Sequence, residues 1–332
     1  MRARWLLIIA AAAIPATPAF AQQRRLNPVV ELLQQQKPVF GVYAPRNARG
    51  GRGGAPVDSS AFKTPAQLAT DALGYKSADY VFDGTMEGDF DRAFPVFGDF
   101  VKGMVDGGFV DKTPVLRLHH PLIVKTHRIS ENPALATERI GKQLNLGVSG
   151  IVFVGVESAD EVRTGLAAMR PKSKGGTRAD EVGGAPLIWG MSEKDYRAKA
   201  DVWPLNPNGE LVNWTIVESK EGLAHVREIA AVKGIGVLLP GAGTLRGVFT
   251  TTDAAGKRTF DEQGWEGAIQ QVLAACKEFH VPCGYPAGPT DIEMRMKQGF
   301  SVFVINWGEQ GFKAVDIGRQ LAGRAAPGPS DR

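Results

Sequence analysis

Cysteine is scarce in this chain, with two residues in 332, and histidine nearly so, with five. No H-E-x-x-H and no Cys/His cluster occurs, which leaves a zinc site without support. No G-x-S-x-G elbow occurs, so a triad hydrolase has no nucleophile turn to stand on. No glycine-rich run ends in Lys-Ser or Lys-Thr, which removes a Walker-type phosphate loop. Charge of one sign is also lacking: 39 basic residues face 35 acidic ones, for a formal +4. No basic run carries interleaved aromatics, so a nucleic-acid partner is not expected. The Arg-Gly stretch from Arg46 to Gly54 reads as a flexible loop on composition.

What is present begins with the first residues. Arg2 and Arg4 form a positive n-region, Trp5 to Ile14 an apolar run, and Ala19-Phe20-Ala21 a small–x–small cleavage pattern. Pro15 and Pro18 stop the run well short of the roughly 20 residues that span a bilayer. The reading is a cleaved secretory signal over 1–21 and a periplasmic or secreted protein with no membrane anchor afterwards. No twin-arginine pair precedes the apolar run, which favours export before folding. Losing Arg2 and Arg4 lowers the formal charge from +4 to +2. Cys276 and Cys283 then sit in an oxidising compartment, where they either pair or serve as two small buried residues. Cys276 lies on the helical stripe Trp265, Ile269, Val272, Leu273, Cys276.

Along the rest of the chain, short β-branched runs alternate with amphipathic helical stretches. Expected strands are 39–43, 79–82, 113–118, 150–154, 212–217, 236–239, 281–284 and 301–305. Helix starts are well marked. Thr64-Pro65-Ala66-Gln67 combines an N-cap, a proline at the first helical position and a capping box. Asn132-Pro133 repeats the cap-plus-proline device, and Ser158 with Glu161 forms a second box after the fourth strand. Eight strand–helix units predict a single (β/α)₈ barrel over 22–324. An extra helix over 29–36 is expected to plug its bottom, and 325–332 reads as a disordered tail. A long insertion, 170–211, separates the fourth helix from the fifth strand. Trp189, Tyr196 and Trp203 make its second half an ordered flap over the barrel mouth, or a face for a neighbouring subunit.

Barrel active sites lie at the C-terminal ends of strands. The candidates there are Asp83 and Glu87 after the second strand, Arg117, His119 and His120 on the third, and Glu157 after the fourth. Glu218 ends the fifth, and Asn306 with Trp307 follows the eighth. Glu218 is delivered by the buried run Asn213–Val217, where a carboxylate needs a cation, hydrogen-bond donors or a raised pKa. Residues 239–247, LPGAGTLRG, form a glycine-rich turn after the sixth strand. As a dinucleotide fingerprint the turn fails, because Gly241-x-Gly243-x-x-x-Gly247 has its third glycine one place late. Val248 to Thr252 is expected to extend where a helix should begin.

Four segments together resemble the HpcH/HpaI aldolase/citrate lyase family of metal-dependent class II pyruvate aldolases. They are NLGVSGIVFVGVESADEVR (145–163), WTIVESKEGLAHVREIAAVKGIGVLLPGAGTL (214–245), ACKEFHVPCG (275–284) and MKQGFSVFVINWG (296–308). The resemblance spans roughly 36–322, and the second segment is its most specific part. It implies carbon–carbon lyase chemistry on a 2-oxo acid or related small carboxylate, through a metal-stabilised enolate, in a homo-oligomer. Mg²⁺ or Mn²⁺ would be held by a Glu after the fifth strand, here Glu218, and by an Asp after the sixth. Backbone amides of the turn Gly241, Ala242, Gly243 and Thr244 would bind the substrate carboxylate. An arginine on the third strand, aligned with Arg117, would stabilise developing oxyanion charge. The chain departs from the pattern at two positions. Thr244 stands where the second metal carboxylate belongs. The family's histidine after the second strand has no counterpart, leaving Asp83 and Glu87 as the nearby acid–base groups. A barrel that binds a small carboxylate or aromatic acid without aldol chemistry is the alternative reading.

Overall fold

The computed structural model describes residues 24–47 and 59–324. The segment expected to be a signal, most of the Arg-Gly stretch and residues 325–332 lie outside the described residues. Eight of the nine parallel strands of the main sheet form the barrel: β1 (Val39–Tyr43), β2 (Tyr80–Asp83), β3 (Leu122–Lys125), β4 (Gly150–Phe153), β5 (Leu211–Val217), β6 (Val237–Pro240), β7 (Gly284–Ala287) and β8 (Val302–Ile305). Strands β1 to β6 pair in chain order, β7 pairs with β8, and β8 returns to β1. The interval between β6 and β7 is spanned by a bridge from Leu238 to Cys283, with the Leu238 amide donating to Pro282 at 3.0 Å. The sheet curls into a TIM-like barrel with helices on its outside.

The barrel interior is filled from several strands and from the expected plug. Helix Pro28–Gln34 is capped by Asn27, whose side chain accepts from the Val29 amide. It drives Val29, Val30 and Leu33 into one apolar cluster with Val39, Phe82, Ile123, Val152, Trp214 and Val304. Full burial of one such side chain contributes about 1.5–3 kcal/mol, so the plug's three apolar residues account for its docking. The Tyr80 hydroxyl, inside the same cluster, donates to the Phe303 carbonyl at 2.6 Å. The expected helix starts are present. Thr64 and Gln67 form the complete capping box, and Asn132 caps helix Pro133–Asn145. Ser158 accepts from the Glu161 amide, but the Glu161 carboxylate reaches one residue further back, to the Glu157 amide at 3.2 Å.

Three expectations need correction. The third barrel strand is 122–125, not 113–118. The earlier run contributes only Arg117–Leu118, paired antiparallel with Val110–Asp111 ahead of the barrel strand. Two β-branched runs a few residues apart compete for one place, and the four-residue run 122–125 is the one buried among helices. The insertion is no flap over the mouth. A helix-to-strand connection in a βα barrel lies at the N-terminal end of the strands, so 170–211 falls on the opposite side. There the Trp189 indole donates to the Gly147 carbonyl at 2.7 Å, Trp189 meets Tyr196 edge-on, and Val202–Trp203 pairs with the start of β5. Arg170 closes it with two hydrogen bonds to Asp201. Finally, a helix does begin after Gly241, over Ala242–Val248, and a hairpin of Thr250–Thr252 with Arg258–Phe260 follows.

Cys276 and Cys283 are both buried and disulfide-bonded, with Cα atoms 5.6 Å apart. The two sequence readings, pairing and burial, hold together. The bond ties helix Glu262–Glu278 to the start of β7, where the sheet has its single-bridge interval.

Candidate active site

Strand ends β1 to β6 bring a run of polar side chains to the C-terminal mouth. Asp83 ends β2 and turns its Oδ1 to the Thr85 amide at 2.8 Å and the Thr85 hydroxyl at 2.5 Å. The short 3₁₀ turn Thr85–Glu87 then carries Glu87 towards β3. Lys125 ends β3, and its ammonium donates to Glu87 Oε2 at 2.7 Å. The side chain of Lys125 is only 16 % exposed, against 38 % for Glu87. Gln143, fully buried on the following helix, donates to the Lys125 carbonyl at 2.8 Å and pins the strand end. Tyr43 ends β1 beside this group. Burial pushes its hydroxyl above the usual tyrosine range; Lys125 opposes that shift, and Glu87 adds to it.

Past β4, Gly155 sits in the left-handed region at φ 57°. Its carbonyl accepts from Arg128 Nε at 3.2 Å, and Arg128 also pairs with Glu157 at 2.8 Å. The Gly155 amide donates to Glu218 Oε1 at 3.0 Å. On the other side of Glu218, a Cβ added at Gly241 would fall 2.5 Å from both Glu218 Cβ and Oε2. The two glycines therefore let the backbones of β4 and β6 close on one carboxylate. This requirement, more than phosphate binding, accounts for Gly241.

The sequence candidates separate into two groups. Asp83, Glu87, Glu157 and Glu218 are at the mouth. Arg117 is not: it precedes β3 at the opposite end, where Nη1 donates to Glu31 Oε2 at 2.6 Å and to the Arg25 carbonyl at 3.1 Å. His119 and His120 go with it, bound to Asp111 and to the Tyr75 carbonyl. The mouth cation of the third strand is Lys125, which sequence reading missed. The signal for it was Leu122-Ile-Val-Lys125, a buried run ending in one charge, as Asn213–Val217 ends in Glu218. Within the turn, the Gly241 amide is already given to the Val217 carbonyl at 2.9 Å. The amides of Ala242, Gly243 and Thr244 are those of a first helical turn, without intrahelical acceptors.

The donors present do not form a two-carboxylate site for Mg²⁺ or Mn²⁺. One oxygen of Glu218 is engaged by Gly155, and Thr244 is a neutral, exposed hydroxyl on the first turn of its helix. Among the described residues, no group of three or more His, Cys, Asp and Glu side chains is arranged to hold a metal. A hard dication facing a single carboxylate has lost half of the protein charge that such a pair would supply.

No family model and no curated protein matches the chain. Solved structures do. An HpcH/HpaI aldolase/citrate lyase family protein from Burkholderia cenocepacia superposes with a TM-score of 0.60 at 18 % identity, covering 90 % of this chain and 96 % of that one. An HpcH/HpaI aldolase from Desulfitobacterium hafniense gives 0.57 at 14 % identity, with 90 % and 97 % covered. Macrophomate synthase gives 0.55 at 17 %, with 89 % and 86 % covered. The structural neighbours of this chain are thus HpcH/HpaI aldolase/citrate lyase family proteins, and it carries their fold over nearly its whole described length.

Proposed function

We propose that the chain is a divergent, exported member of the HpcH/HpaI family, a single (β/α)₈ barrel over 22–324, acting as a carbon–carbon lyase on a 2-oxo acid or related small carboxylate. The observation that carries this reading is the convergence of Tyr43, Asp83, Glu87, Lys125 and Glu218 at the C-terminal ends of β1, β2, β3 and β5. Such a mouth supplies what retro-aldol cleavage asks of a protein. A carboxylate takes the hydroxyl proton, the C–C bond electrons pass to the 2-oxo oxygen, and a donor faces the charge that develops there. Glu87 and Glu218 are the carboxylates available for the first task. The amides of Ala242, Gly243 and Thr244, which have no intrahelical acceptors, would receive the substrate carboxylate.

The reading is tested by incubating the mature protein with a panel of 4-hydroxy-2-oxo acids and following 2-oxo acid release. Release that disappears in Glu218→Gln is the expected result; no release from any member overturns it. A second reading is favoured by Thr244: the barrel binds a small carboxylate and turns nothing over. That outcome shows as oxalate-dependent stabilisation without release. Export is supported by the Arg2–Ala21 pattern and by the Cys276–Cys283 bond, since disulfides persist in oxidising compartments. Intact mass of the protein recovered from the periplasm or medium should begin at Gln22. Assembly as a homo-oligomer follows only from the resemblance and is read by light scattering.

A further inference from the structure

We infer that Lys125, held by Glu87, supplies the positive charge of this mouth in place of a divalent cation, so that a small carboxylate binds without metal. The inference rests on the mouth being a carboxylate site, as proposed above, and adds what recognises the ligand there.

Three observations support it. First, each acid at the mouth already accepts from a protein donor: Asp83 from Thr85, Glu87 from Lys125, Glu157 from Arg128, and Glu218, through one oxygen, from the Gly155 amide. Carboxylates engaged in this way are poor partners for a dication, and Thr244 adds no charge. Second, the Lys125 ammonium has three N–H donors and gives one to Glu87. No other acceptor for it occurs among the described residues, so two donors remain for a ligand. Third, the lysine is held in place. Its stem runs over Gly84, where an added Cβ would come within 3.3 Å of Cδ, and Gln143 fixes its carbonyl. A long side chain immobilised before binding loses little further entropy when a ligand arrives. Tyr43 stands beside it with a hydroxyl that stays protonated at neutral pH, a second donor for an anion.

The test uses the mature protein after EDTA treatment and desalting, with oxalate as the probe, titrated calorimetrically with EDTA present and again with excess Mn²⁺. Oxalate should bind with the same affinity in both. Lys125→Ala should weaken binding roughly ten- to a hundredfold, the loss typical of a charge-assisted hydrogen bond. Lys125→Arg should recover most of the loss, and Lys125→Gln, which keeps the stem, gives the same reading if the alanine variant does not fold. Binding that appears only with Mn²⁺ overturns the metal-free role of Lys125 and leaves the carboxylate site standing. Unchanged affinity in Lys125→Ala with EDTA present also overturns it. No oxalate binding in either condition overturns this inference and the proposed function together.

Discussion

At the N-terminal end of the barrel, ion pairs close over the plug helix. Arg117 meets Glu31, Arg25 meets Glu210, and Arg324 meets Asp79 with hydrogen bonds to both carboxylate oxygens, at 2.6 and 2.5 Å. Asp79 also accepts from the Phe40 amide at 2.8 Å, so its 8 % exposed side chain is fully committed to the fold. At the C-terminal end the charged groups form an open chain, from Glu87 to Lys125 and from Arg128 through Gly155 to Glu218. Most are about one-third exposed, and Lys125 keeps donors in reserve. The same residue types therefore fasten the structure at one end and, in the function proposed here, would face a ligand at the other. Position relative to strand direction, not chemical type, separates the two roles.

That contrast breaks most readily at Asp79. Removing one partner of a buried, hydrogen-bonded pair costs about 3–5 kcal/mol, because the other charge is left uncompensated. Asp79→Ala should lose that much in urea unfolding while its oxalate affinity stays at the wild-type value. A loss of affinity at full stability would mean that the two ends are coupled. A smaller effect, about 2–4 kcal/mol, is expected when the Cys276–Cys283 bond is removed by the double serine substitution. The bond sits beside the single-bridge interval between β6 and β7, and melting in the variant should occur without loss of the mouth's ligand affinity.

Gly241→Ala tests the mouth itself. A methyl 2.5 Å from the Glu218 carboxylate must push that side chain or the β6 turn aside. The stability cost is about 1–3 kcal/mol, as for other overpacked positions. The cost in 2-oxo acid release is larger in proportion, on the order of a hundredfold, since a shift of an ångström in a reacting group has that effect. Equal release by the variant would remove Glu218 from the chemistry.

Sequence patterning identifies seven of the eight strands within a few residues, because most are buried apolar runs and several are followed or preceded by a marked helix start. It fails where two such runs lie close together. Val115-Leu116-Arg117-Leu118 and Leu122-Ile123-Val124-Lys125 both end near a cation, and choosing the first moved the third strand, with Arg117 and the two histidines, to the wrong end of the barrel. The insertion is misplaced for a different reason. Its aromatic content says that it is ordered, but only its place between a helix and the next strand says which end it covers. Glu218 is found because one carboxylate closing a seven-residue buried strand is conspicuous. The clamp around it is not, since Gly155 and Gly241 acquire their roles only when β4 and β6 flank β5.

The smallest effect separates Arg117 from Lys125 most sharply. Burial pushes the Glu31 carboxyl up, but the Arg117 hydrogen bond, the Arg25 amide and the charges of Arg117 and Arg24 together bring it below its ordinary value. A carboxyl depressed in the folded state adds stability above its unfolded pKa, and that stability is lost as pH falls through the folded one. Arg117→Ala should therefore be less stable than wild type at neutral pH, by roughly 1 kcal/mol for a part-buried pair. The deficit should shrink below about pH 4.5, the ordinary value for Glu, and vanish once Glu31 is protonated in both proteins. Urea unfolding across that range reads it directly. A deficit that does not change with pH would assign the loss to packing of the guanidinium stem. Weaker oxalate binding in Arg117→Ala, at either pH, would place this arginine in contact with the mouth despite its position before β3.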